Sequence, residues 1–375
     1  MAKARWERLT VRPLLMDLGR DFRGGQHQAL LLLQGLIARG HSPELVALRD
    51  SILALRARAI GVTVHGLNAH GRRVGAAMVV HQLVRGGKAD VVHANESHAL
   101  TAAWLARVHK KVPLLVSRRV IFALSSNSAA LRRYRAAAQI LAVSQCVKNV
   151  VIHAGLPPGS VTIIPVGVNI PPPPSMQGRL AARRKLGLTH EDAVLLGNVA
   201  AFTIEKGQPL LIRAFHSVRK QFPNCRMLLV GDGPERAKAQ ALVTQLQLDS
   251  AVHFAGFVDD VDTVYAAIDL FAFPGLADAM PTVLLAAMAH GLPVVGFALG
   301  GVPEALEDGE NGLLVVEPEP KALAEAISRL LGSPADAKRM GEAARETIIA
   351  RFSADHMVGQ TIRAYEDAIA AGTVS

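Results

Sequence analysis

The chain alternates short apolar runs with longer stretches in which apolar residues recur at helical spacing. In its first half, residues 11–19 read as a buried strand and residues 28–39 as a helix closed by Gly40. Strands follow at 43–48, 62–66, 89–94, 113–117, 140–144 and 161–165, with helices at 51–59, 75–85 and 99–108. Strands separated by helices of about 10–15 residues argue for a parallel, doubly wound α/β sheet. Residues 170–175 then carry four consecutive prolines. Such a run continues neither a helix nor a central strand and forms a stiff extended segment, so an interdomain linker is expected at 171–178. After it the alternation restarts, with strands at 193–198, 226–231, 252–255 and 270–273 and helices at 209–221, 234–246 and 261–267. Residues 271–316 read as strand, turn, helix, strand, Gly-Gly turn, helix and strand. Helices at 321–331, 335–350 and 353–371 end the pattern. The expected division is residues 1–170 and 179–352.

Composition narrows this picture. A length of 375 residues suits two domains that each bury a core, and a chain that is half apolar is globular. No apolar run reaches the roughly 18–20 residues of a membrane span. The opening MAKARWERLT is basic, with no apolar signal core after it, so a cytoplasmic protein is expected. Cys146 and Cys225 are far apart and suggest neither a disulfide framework nor a metal site. Charge is uneven: residues 1–175 hold 23 Lys and Arg against 7 Asp and Glu, and the rest of the chain 18 against 24. A basic first half points to an anionic partner: an acidic lipid surface, an anionic acceptor or nucleic acid. With only 4% aromatic residues there is no stacking platform, so nucleic acid is not expected.

Five stations could carry chemistry. Gly24-Gly25, between the first strand and first helix, lets backbone approach an anion at a helix N-terminus, or makes a tight turn. Lys206, in Glu205-Lys206-Gly207, could clamp a phosphate or be a solvated lysine. Gly231-Asp232-Gly233-Pro234 could line a crevice or simply turn the chain. Asp260-Val261-Asp262 has the D-x-D spacing that holds a divalent cation in some sugar-transfer enzymes. It stands just ahead of a short helix, where carboxylates cap backbone N–H groups, so capping is expected and no metal. Asp278, before Pro281 and Thr282, could accept hydrogen bonds from sugar hydroxyls, cap the helix, or do both. The helix behind that turn offers N–H groups suited to a diphosphate.

Taken in order, these stations resemble glycosyltransferase family 4, a retaining family with the GT-B fold. The resemblance rests on Gly24-Gly25 with the helix ending Arg39-Gly40-His41, on VHANESHA at 92–99, and on LAVSQCVKNVVIHAG followed by VTIIPVGVN at 161–169. It continues through Lys206-Gly207, GDGP at 231–234, VHFAGFVDDV at 252–261, LFAFPG, and AAMAHGLPVVGFALGGVPEALEDGENGLLV at 286–315. It implies two Rossmann-like domains facing a cleft, the second holding a nucleoside diphosphate sugar and the first an acceptor. It also implies that the last helix, 353–375, crosses back to close the first domain.

Carried over residue by residue, the resemblance places Gly24, Gly25, Lys206 and the backbone at Met280, Pro281, Thr282 and Val283 on the diphosphate, with Gly233 beside the donor. It places Asp278 on the sugar and Phe257 against the base. His93 is expected either to take the acceptor's proton or to be a satisfied buried histidine, and Asn95 and Glu96 to orient the acceptor. Two positions depart from the family pattern: its second carboxylate is replaced by Ala286, and the arginine five residues before the lysine by Ala201. Arg118 or Arg119, where relatives often have histidine, is expected to supply the missing cation. The expected activity is retaining, metal-independent transfer of a sugar from a uridine or guanosine diphosphate donor to a hydroxyl, with no cofactor. The acceptor is expected to be an anionic or membrane-associated envelope glycolipid or polysaccharide precursor, reached at the cytoplasmic membrane face. The alternative is a non-catalytic nucleotide-sugar binder, favoured by Ala201 and Ala286.

Overall fold

The structure, a computed structural model, describes residues 10–124, 129–188 and 192–372. Most of the basic segment read at the N-terminus, and the last three residues of the expected closing helix, lie outside the described residues. The chain divides into two compact units, residues 1–167 with 354–375, and residues 168–353.

The first unit is built on a seven-stranded parallel sheet, ordered β3-β2-β1-β4-β5-β6-β7. Its strands are β1 (Pro13–Asp17), β2 (Glu44–Leu48), β3 (Thr63–Leu67), β4 (Val91–Ala94), β5 (Leu114–Arg118), β6 (Gln139–Ala142) and β7 (Val161–Ile163). A parallel sheet covered on both faces needs strands apolar on both sides. That is why β1 and β4 are buried along their whole length and are apolar except for Asp17 and His93. The final helix, Ala354–Gly372, belongs to this unit and adds Val358, Ile362 and Tyr365 to its core. Its start is tied to the helix Gly24–Ala38 by an ion pair between Arg39 and Asp355. Gln28 of that first helix exchanges hydrogen bonds of 2.8 Å with both backbone groups of Gly167, the last residue of the unit before the chain leaves it.

The second unit carries a six-stranded parallel sheet, ordered β10-β9-β8-β11-β12-β13. Its strands are β8 (Val194–Val199), β9 (Cys225–Val230), β10 (Val252–Gly256), β11 (Leu270–Phe273), β12 (Val294–Phe297) and β13 (Leu313–Val315). Its core packs Leu211 and Phe215 of the helix Gln208–Gln221 and Leu323 and Ile327 of the helix Pro320–Gly332 against the sheet.

The prolines lie inside the second unit, a few residues past its start at Val168. Residues 176–178, expected in the linker, form the first turn of a helix, Met176–Lys185. The cause is local: proline stops at 174, and the Ser175 hydroxyl accepts from the Gly178 N–H at 3.1 Å, a side-chain N-cap. Buried Arg183 fastens this helix to the sheet, donating to Ala193 O, Ala267 O and the Asp269 carboxylate. A further helix, Gln145–His153, is capped by Ser144, and another spans Ala129–Arg135. Among the described residues no helix is long and apolar enough to cross a membrane.

Candidate functional site

In an open parallel sheet, ligands bind beyond the carboxyl ends of the strands where the strand order reverses. In the first unit that point lies between β1 and β4, and in the second between β8 and β11. Three of the five sequence stations fall at these two places: Gly24-Gly25 after β1, Lys206 after β8 and Asp278 after β11; residues 231–234 follow β9 and residues 260–262 follow β10.

In the second unit, Lys206 follows β8 and Asp278 follows β11. They are 72 residues apart in the chain, yet the Lys206 Nζ lies 2.5 Å from an Asp278 carboxylate oxygen. The lysine also sits over the Phe273 ring, 5.9 Å from its centroid. Both side chains keep about a fifth of their surface open to solvent, at 23% and 20%. Asp278 is therefore paired with the lysine and does not cap the helix Thr282–Ala289, whose N-cap position is Pro281 with no side-chain bond. The turn before that helix is fixed by the glycine pair. Gly300 has a left-handed φ of 59°, and a Cβ there would lie 2.1 Å from Asp278 O; the Gly301 N–H donates to the same carbonyl at 3.0 Å. Only glycine lets the two segments approach this closely.

Thr282 and Val283 open the helix four residues after Asp278, so their N–H groups lack intrahelical acceptors. Met280 and Pro281 are buried and can offer a ligand little beyond backbone. Gly233 packs its backbone against Phe202 O, and Phe257, just past β10, is 78% exposed. Ala201 and Ala286 carry no polar side chain here; the Ala201 carbonyl accepts from Gln208 and that of Ala286 from His290. Asp260 caps the helix Val261–Ala267, accepting from Thr263 Oγ1 at 2.6 Å and from Lys185 at 2.8 Å. Those bonds hold its pKa down at about 2.

The first unit presents a different arrangement. Asp17, at the end of β1, is 1% exposed. Its carboxylate accepts from Gln26 Nε2 at 3.0 and 3.2 Å, from Asn95 Nδ2 at 2.6 Å and from the Gly19 N–H at 2.9 Å. Asn95 also donates to Gly25 O at 3.1 Å, and accepts from Arg119 at its own carbonyl, 2.9 Å, and at Oδ1, 2.7 Å. One hydrogen-bonded chain thus runs from Gln26 through Asp17 and Asn95 to Arg119. Burial lowers the Arg119 pKa to about 10, opposed by the nearby Asp17 carboxylate. Below this chain, His93 is 1% exposed, with Nδ1 2.7 Å from the Tyr365 hydroxyl and Nε2 2.8 Å from Ser117 Oγ. Burial, and then the charge of Arg119, push the His93 pKa down to about 3.

The expected acceptor-side roles change accordingly. His93 is the satisfied buried histidine, since both ring nitrogens are engaged and the interior disfavours its cation. Glu96 caps the helix Ser97–Leu105, accepting from the His98 N–H at 2.5 Å and the Ala99 N–H at 2.7 Å. Asn95 is buried within the carboxylate–amide–guanidinium chain. Arg118 is also buried, donating to Phe122 O and the Tyr134 hydroxyl. Arg118 and Arg119 are thus both engaged inside the first unit. Gly25, by contrast, has open space where a side chain would point. Asp17, Gln26, Ser117 and Tyr365 escaped the motif reading. Asp17 alone left a signal, an acidic residue closing an otherwise apolar strand.

Two family descriptions match the chain: Glycosyltransferase Family 4 over residues 22–170 and Glycosyl transferases group 1 over residues 179–347. The D-inositol 3-phosphate glycosyltransferase of Stackebrandtia nassauensis is 30% identical over 318 residues, covering 77% of this chain and 70% of that protein. The lipopolysaccharide core biosynthesis glycosyltransferase LpsE of Rhizobium meliloti is 33% identical over 178 residues, covering 47% of this chain and 51% of that protein. The chain spans about half the length of the first curated relatives it matches. Among solved structures, Anabaena Alr3699/HepE in complex with UDP and glucose superposes with a TM-score of 0.82 at 23% identity, covering 95% of this chain and 99% of that one. The fold is that of GT-B glycosyltransferases.

Proposed function

The chain belongs to glycosyltransferase family 4, and we propose that it transfers a sugar, with retention, from a nucleoside diphosphate donor to a hydroxyl acceptor. The observation that carries this reading is the meeting of Lys206 and Asp278 at the switch point of the second sheet, beside the N-terminus of Thr282–Ala289. Such a site offers an ammonium and helix N–H groups to a diphosphate, and a carboxylate to sugar hydroxyls, within one side chain's reach. In the reaction the acceptor oxygen bonds to the anomeric carbon as the bond from that carbon to the diphosphate breaks, and Lys206 with the N–H groups of Thr282 and Val283 stabilises the departing charge. Preoriented donors do this without reorganisation. The acceptor's proton passes to the departing phosphate oxygen on the same face, so the buried His93 is not required.

Uridine diphosphate is the first carrier to test, since HepE was solved with UDP; guanosine diphosphate is the second. The reaction is metal-independent in this reading: Asp260 of the D-x-D sequence is already bonded to Lys185 and Thr263. The basic first half supports an anionic acceptor at a membrane face. A thermal-shift screen of nucleotide sugars, followed by donor cleavage in EDTA, tests the reading. A donor at 100 times its Kd should add about 2.7 kcal/mol of stability. Absence of both binding and cleavage across the panel would overturn it. Binding without cleavage or transfer would favour a non-catalytic binder, the reading to which Ala201 and Ala286 point.

A further inference from the structure

Residues two apart on a strand share a face. His93 and Asn95 stand in that relation on β4 and just past its end, and Ser117 and Arg119 on β5 and just past its end. The strands run parallel, with His93 opposite Leu115 and Ala94 opposite Val116. Their side chains therefore form two rungs across the pair: His93 Nε2 to Ser117 Oγ at 2.8 Å, and above it Arg119 to Asn95 Oδ1 at 2.7 Å, with a further bond from Arg119 to the Asn95 carbonyl at 2.9 Å. The upper rung ends the chain that begins at Asp17. The lower rung is held from outside the sheet by Tyr365, from the helix that follows residue 353.

The direction of these bonds follows from the partners available. The Tyr365 hydroxyl is fully buried, and His93 is its one hydrogen-bond partner among the described residues; accepting from Nδ1 would strand its own proton in the interior, which favours donation to Nδ1. Nδ1 is then an acceptor, and a neutral ring carries its hydrogen on Nε2 and donates it to Ser117 Oγ. Burial pushes the tyrosine pKa up and the histidine pKa down, consistent with a neutral pair. The Ser117 hydroxyl keeps one proton to give. Beside it lies a cavity of about 20 Å³ lined by Gln28, His93, Ser117, Arg119 and Thr361. That volume and polarity suit a single water.

We propose that Tyr365 is a positioning residue for this reaction: by donating to His93 it fixes the Nε2–H tautomer, and through the two rungs it sets Asn95 and Arg119 at the mouth of the first unit. This rests on the transferase reading for its consequence in turnover, but the tautomer stands apart from it. The final helix then serves the site as well as the core.

The test is long-range ¹H–¹⁵N correlation on the full chain, with the His93 signals identified by their loss in His93→Gln. Nδ1 should resonate as an unprotonated nitrogen and Nε2 as a protonated one. In Tyr365→Phe the ring should become a mixture of tautomers, with donor kcat reduced about tenfold, the worth of one ordered hydrogen bond, and donor KM within about twofold. Ser117→Ala, which keeps the tyrosine bond, should leave Nδ1 unprotonated and lower kcat less. A protonated Nδ1 in the parent chain, or Tyr365→Phe with unchanged spectra and kcat, overturns the proposal. A parent chain that cleaves no donor counts against the transferase reading, while the nitrogen spectra still decide the tautomer.

Discussion

At the switch point of the first sheet a buried carboxylate, Asp17, is surrounded by Gln26, Asn95 and the Gly19 N–H, with Arg119 bonded onto Asn95. At that of the second, Asp278 has Lys206, and both keep a fifth of their surface in water. The topology is the same, but the polar chemistry is handled differently. The first unit supplies its own anion near the N-terminus of the helix Gly24–Ala38 and satisfies it from within, so its polar chain is a rigid floor. The second leaves a short ion pair, Lys206 with Asp278, a few residues before the uncapped start of the helix Thr282–Ala289, and on the proposed reading a diphosphate would compete with the carboxylate for the lysine. A satisfied network fixes geometry, whereas a partly solvated pair can exchange partners.

That contrast can be broken from either side. The largest effect is expected from Lys206→Ala, which removes the cation without disturbing a buried group. Donor turnover should fall by roughly 10²–10³, about 3–4 kcal/mol of barrier, with the melting temperature little changed; kinetics and calorimetry on one preparation check both. Asp17→Ala should act mainly on stability, with turnover falling only through the displaced Asn95 and Arg119. It strips a carboxylate from several donors and should cost about 2–3 kcal/mol of stability by urea denaturation. Loss of turnover without loss of stability would show that Asp17 belongs to the reaction and not to the floor.

Acid sharpens the comparison. The native pKa of His93 lies far below its unfolded value near 6.5, so the unfolded chain binds a proton that the native chain refuses. Stability from this residue is complete above about pH 6.5 and falls as pH drops toward 3, by about 1 kcal/mol between pH 6 and pH 5. His93→Gln should be less stable at neutral pH and lose less over that interval, as denaturation at the two pH values would show. The smallest effect is expected from Asp260→Ala: loss of an exposed cap, about 0.5–1 kcal/mol, with turnover in EDTA unchanged. A large loss of turnover there would restore the metal reading.

Much of the frame was legible in the linear pattern. Buried parallel strands are apolar runs, and the glycines and prolines between them mark the turns, so both sheets, the restart after the prolines and the Phe271–Val316 block could be read directly. Ser175 shows where the pattern misled: a proline run looks like a boundary, but a serine after it starts a helix, and the units part a few residues earlier. Lys206 and Asp278 were each readable as candidates, but their pairing was not. His93, Asn95 and Glu96 were legible as polar residues at a strand end, a pattern that suits a reactive cleft and a buried network equally well.

The sequence by itself determined two α/β units and the positions of their turns, because these follow from local periodicity and chain stiffness; the family followed from the resemblance carried by its ordered motifs. Only the tertiary structure decided which polar groups face inward. Whether a histidine is a base or a rung, or an aspartate a cap or half of an ion pair, depends on what stands within 3 Å of it. Here those neighbours come from strands, helices and turns 24 to 272 residues away in the chain.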